Sequence, residues 1–101
     1  NKNIFNLDKN IFLLLRQIIP KNSQKFFIMY DEILKNEPFD LIFFWIKKNI
    51  RQQIKTYTRF DKNILKKNYL KLIDLDYHNK KGQLNTSREL LLKQILLELL
   101  S

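Results

Sequence analysis

The chain has 101 residues and a formal net charge of +9, from 19 Lys and Arg against 10 Asp and Glu. It contains no Cys and one Gly, which excludes disulfide scaffolds, zinc–cysteine sites and glycine-rich phosphate loops. A hydrophobic fraction of 45% excludes simple disorder, so a single helical domain over residues 1–101 is expected.

Turn signals divide the chain into about five helices. The first is predicted from Asp8, as its cap, to about Ile18, with Ile11, Leu14, Leu15 and Ile18 at helical spacing. Pro20 stops it. The second is predicted from Ser23, an N-cap residue type, to about Lys35. Its stripe is Phe26, Phe27, Tyr30, Ile33 and Leu34. Pro38 opens the third helix, and Asp40 complements the dipole of its first turn. From Phe39 to Ile46 this helix is apolar nearly all round, so it is expected to begin deep in the core. It then narrows to Ile46, Ile50, Ile54 and Tyr57.

Asp61 is the predicted cap of a fourth helix with the stripe Leu65, Tyr69, Leu72, Ile73 and Asp76. Lys80 and Lys81 suit its negative end, and Gly82 supplies the left-handed residue that terminates it. Thr86-Ser87-Arg88-Glu89 matches a capping box with Thr86 as N-cap. The helix that follows is polar only at Lys93, Gln94 and Glu98 between Leu90 and Leu100. Its leucines cannot all face one direction. Either other helices wrap it or it offers a second face to a partner, with Leu92, Ile95, Leu96 and Leu99 as candidate interface residues. No segment alternates with a strand period, so the expected fold is an all-α bundle.

The residues offer little for catalysis or metal binding. His78 is the only histidine, with Asp74 one turn before it and Asp76 about 200° round the helix. Ser23, Ser87 and Ser101 lie in other segments, so no nucleophile adjoins the pair. No metal-ligand spacing occurs. No catalytic residue, metal ligand or cofactor is therefore expected. The longest apolar runs, Ile11 to Leu15 and Leu41 to Ile46, fall far short of the roughly 20 residues that span a bilayer. A cytoplasmic protein without membrane partners is expected.

The positive charge has two readings. It is mostly lysine, 15 Lys to 4 Arg, beside 11 Asn and 13 Ile and without Ala or Val. That is the bias of A+T-rich codons, and it implies lysines on solvated faces. Against it, Lys47, Arg51 and Lys55 form a stripe on the third helix that can neutralise phosphates. A free-standing basic helical module that binds nucleic acid is the alternative function.

One segment carries a pattern. A leucine-rich helix ends in Asp76, Lys80 follows four residues on, and Gly82 two later; a polar link then enters a leucine-rich last helix. Upstream, Asn49-Ile50-Arg51 sits late in the third helix and Glu37-Pro38 opens it. Together these resemble the C-terminal helical domain of the delta subunit of bacterial DNA polymerase III, a clamp-loader component. Arg51, Asp76, Lys80 and Gly82 match the family's motif positions. Lys81 stands where the family commonly has Ser or Thr, and Asn85-Thr86 where it has Asp-Pro. The helical segment that family members carry between the Arg-bearing and Asp-bearing helices is missing.

The resemblance implies a collar domain at the C-terminal part of a longer chain. Such a domain assembles with the other clamp-loader subunits in DNA replication and hosts no catalysis. The sliding clamp and DNA are then reached only indirectly, through an N-terminal region outside this sequence. The parent subunit would belong to the DNA-directed DNA polymerase III holoenzyme.

Overall fold

A computed structural model describes residues 9–101. Five helices follow in order: α1 (Lys9–Leu15), α2 (Ser23–Leu34), α3 (Phe39–Lys55), α4 (Lys62–Lys80) and α5 (Arg88–Leu100). Among the described residues there is no strand, so the expected all-α bundle is the fold. The Asp8 cap lies outside the described residues.

Regular α1 ends at Leu15, three residues before the predicted limit. The amides of Gln17 and Ile18 bond instead to carbonyls three residues back, Leu14 at 2.9 Å and Leu15 at 3.1 Å. This tighter winding turns Ile18 into the core just before Pro20. Lys21 then takes a left-handed conformation, φ 59°, and the chain reverses. The N-cap of α2 is Asn22 rather than Ser23, and its side chain does not cap. The Asn22 amide instead donates to the Gln17 carbonyl at 3.0 Å and to Gln17 Oε1 at 3.1 Å, closing the turn.

Phe26, Phe27, Tyr30 and Ile33 bury the expected face of α2. Pro38 precedes the first turn of α3 with extended backbone. In α3, Phe39, Ile42, Phe43, Ile46 and Ile50 are buried, while Phe44 stands 37% exposed. The helix does begin deep in the core and leave it. Its last predicted stripe residue does not follow: the helix stops at Lys55, so Tyr57 drops out of the helical period and is 77% exposed.

Asp61 caps α4 as predicted, accepting from the amides of Asn63 at 2.9 Å and Ile64 at 3.1 Å. The buried face of α4 is Leu65, Asn68, Leu72 and Leu75, which keeps Leu65 and Leu72 of the predicted stripe, with Tyr69 partly buried beside them. Polar Asn68 sits in the middle of the real stripe and hides it, while Ile73 falls outside and is exposed. The Asn68 amide stays paired by donating to the Ile64 carbonyl at 3.0 Å.

The cap of α5 is Ser87, one residue after the predicted Thr86. Its hydroxyl oxygen accepts from the Leu90 amide at 3.3 Å, and the hydroxyl donates to the Glu89 carboxylate at 3.0 Å. The leucines of α5 divide between faces: Leu92, Leu96, Leu99 and Leu100 are buried, and Leu90 and Leu97 are exposed. The helix packs chiefly on α4 and touches α2, where the Tyr30 hydroxyl reaches the Glu89 carbonyl at 3.5 Å.

Candidate functional site

The segment from Asp76 to Gly82 builds the end of α4. The Lys47 ammonium on α3 donates to Asp76 Oδ2 at 2.9 Å, and Lys80 Nζ lies 3.3 Å from the same oxygen. Burial alone would raise the Asp76 carboxyl above its ordinary pKa. The hydrogen bond and charge of Lys47, and then those of Lys80, outweigh it and hold the group below that value. Two residues after Lys80, Gly82 sits at φ +67°. Its amide bonds to the Asn79 carbonyl at 3.1 Å and that of Gln83 to His78 at 2.9 Å, a Schellman stop. Asp76, Lys80 and Gly82 thus tie α4 to α3 and end it. Arg51 stays apart from this network, exposed on α3.

Beyond this stop, α4 and α5 run side by side and leave an open groove of about 810 Å³ between them. Leu70, Leu84, Leu91 and Ile95 give it apolar walls. Leu70 is 66% exposed. The Lys71–Glu98 ion pair crosses the groove, and its cation holds the Glu98 carboxyl below its ordinary pKa. His78 also lines the groove, and its Nδ1–H donates to the Asp74 carbonyl at 2.8 Å. The Asp74 carboxylate is 3.4 Å from the same nitrogen. This pairing steadies the last turn of α4. Among the described residues, no three His, Asp or Glu side chains converge as a metal site.

Of the four α5 residues predicted to meet a partner, Leu92, Leu96 and Leu99 are core residues of this chain. Only Ile95 faces the groove, half-buried. Leu70, the most exposed apolar side chain there, belongs to no stripe expected from the sequence. Its signal was its place outside the α4 stripe at a position polar in ordinary surface helices.

The predicted basic stripe is also reassigned. Lys47 is four-fifths buried and neutralised by Asp76. Lys48 takes its place beside Arg51 and Lys55. Here α3 and α4 flank a second groove, of about 440 Å³, with Phe44, Tyr69 and Ile73 among its lining residues. Lys48 Nζ lies over the rings of Phe44 and Trp45 at 6.0 and 5.4 Å.

Compared with protein-family models, curated proteins and solved structures, the chain matches none of them. Among the described residues, no helix is long and apolar enough to cross a membrane.

Proposed function

We propose that this chain is a non-catalytic assembly module, a collar domain of the delta-subunit kind, acting in the cytoplasm as part of a clamp loader. The observation that carries the reading is the α4–α5 groove, where Leu70, Leu84, Leu91 and Ile95 leave apolar surface beside His78 and Gln83 at the end of α4. An unsatisfied apolar face between two surface helices suits packing against helices of another subunit. Three of the four motif residues fit the same role, because Asp76, Lys80 and Gly82 shape the bundle rather than pointing reactive groups at a substrate.

The test is co-purification with the ATPase subunits of a clamp loader. The wild-type chain is expected to be retained. Leu70→Glu, which places a charge on the groove wall, is expected to be lost from the assembly while keeping its helicity. Failure of the folded wild-type chain to bind, alone and within a full-length subunit, overturns the reading.

A further inference from the structure

The positive charge of this chain is not spread evenly. Residues 41–73 hold nine Lys and Arg and a single acid, Asp61, which gives that third a net +8 of the chain's +9. Asp61 itself is engaged in capping α4. Codon bias alone would scatter lysines along the whole chain; it does not explain near-neutral flanks.

The carboxylates leave one strip of that third alone. Asp31, Glu32, Asp40, Asp76, Glu89 and Glu98 each pair with a lysine or arginine, Lys47 and Lys71 of the basic third among them, and Asp74 lies beside His78. Among the described residues, no carboxylate pairs with Lys48, Arg51 or Lys55. These three recur at i, i+3 and i+7, so they share one face of α3. They extend about 10 Å along its axis. That length matches about three nucleotide steps of a stacked strand, at roughly 3.4 Å each.

The surface beneath is concave and partly aromatic. Phe44 is 37% exposed, and Tyr69 and Ile73 bring α4 into the lining. A cationic groove with aromatic faces is what binds a single strand without sequence preference: phosphates meet the cations and bases stack on the rings. A flat anionic bilayer does not fit a groove between two helices, and the buried face of α3 holds it in the bundle.

We propose that the α3–α4 groove binds single-stranded nucleic acid, through Lys48, Arg51 and Lys55 to phosphates and through Phe44 and Tyr69 to bases. This gives the domain a direct nucleic-acid contact, where the collar resemblance implies only an indirect one. It does not depend on assembly through α4 and α5, which uses the other groove.

The single tryptophan supplies the readout, because Lys48 lies over its ring. The 101-residue chain is titrated with a 20-nucleotide oligothymidylate while Trp45 emission and oligonucleotide anisotropy are followed. Binding is expected to weaken about 20-fold between 50 and 200 mM salt, the slope for three phosphate contacts. A 20-base-pair duplex should bind more weakly. The triple variant Lys48→Glu, Arg51→Glu, Lys55→Glu should lose at least tenfold in affinity. Lys9→Glu, Lys21→Glu, Lys25→Glu, with the same charge change elsewhere, should stay within about twofold. Circular dichroism checks both folds. If the groove reversal unfolds, the Gln triple variant at the same three positions replaces it, with the same expected loss. Absence of binding, equal loss in the two triple variants, tighter duplex binding, or capture by phosphatidylglycerol vesicles in preference to the oligonucleotide overturns the proposal.

Discussion

Lys47 on α3 and Asp76 on α4 meet at 2.9 Å, each side chain about four-fifths buried. The same ammonium lies 4.5 Å from the centre of the Phe43 ring, so its own helix shields it from water. A cation that the sequence assigns to a binding stripe therefore serves as a strut between two helices.

Removing the carboxylate charge should loosen that strut. Asp76→Asn leaves the largely buried Lys47 cation without its counter-ion, a loss of about 1–3 kcal/mol. Urea unfolding should show a lower midpoint with an unchanged slope. Lys47→Met combined with Asp76→Asn should recover part of the loss, since the stranded charge is then gone. An unchanged midpoint in Asp76→Asn would mean that the pair adds nothing to stability.

The stability of the fold should decline at both ends of the pH scale. The carboxyls of Asp76 and Glu89 lie below their ordinary values of 3.8 and 4.5; for Glu89 burial opposes the shift, and its own amide, Arg88 and Ser87 outweigh it. As pH falls, the unfolded chain takes up these protons first. Stability is thus complete above about pH 5 and is lost as pH drops through the folded-state values. Burial, with Glu89 and Asp31, pushes the Tyr30 phenol above its ordinary value of 10.0. Here the unfolded chain ionises first, so stability is complete below pH 10 and declines above it. Urea midpoints against pH should show both limbs. Tyr30→Phe should flatten the alkaline one and Asp76→Asn part of the acid one.

Gly82 is needed for its backbone and not for space. A Cβ there would meet nothing within 4 Å, so Gly82→Ala carries only the strain of φ +67°. That strain is about 1–2 kcal/mol. Gly82→Asn, which tolerates the left-handed region better, should lose less. Equal stability of the Ala and Asn variants in urea would contradict a conformational origin.

The start of α5 offers a test of register. Ser87→Ala removes the oxygen that accepts from the Leu90 amide and should lose about 1 kcal/mol. Thr86→Ala should change stability by no more than about 0.5 kcal/mol. The reverse order in thermal or urea unfolding would restore the capping box read from the sequence.

Period and punctuation made the helices legible. Pro20, Pro38, Asp61 and Gly82 mark turns or helix ends where the structure has them. Register was harder to read. Thr86 and Ser87 are equivalent cap types by residue alone, and only the path of the chain selects Ser87. Asn68 inside a buried stripe is invisible to a search for apolar spacing. Lys47 belongs to the basic stripe by spacing, but Asp76 claims it from 29 residues away. A leucine-rich helix such as α5 has no polar face to say which leucines turn inward.

That ambiguity at α5 leads to the sharpest separation of core from contact surface. Leu96 is fully buried, so Leu96→Ala should lose about 2–5 kcal/mol through lost transfer energy and a residual cavity. At temperatures where the variant is still folded it should enter an assembly with normal affinity. Leu70 is 66% exposed, so Leu70→Glu should shift stability by no more than about 0.5 kcal/mol. Its effect should fall on partner retention alone. Urea midpoints and retention by the ATPase subunits, measured on the same two variants, separate the roles. A strongly destabilised Leu70→Glu would make the α4–α5 groove part of the core. A stable Leu96→Ala with lost retention would return the contact to the leucine face predicted from the sequence.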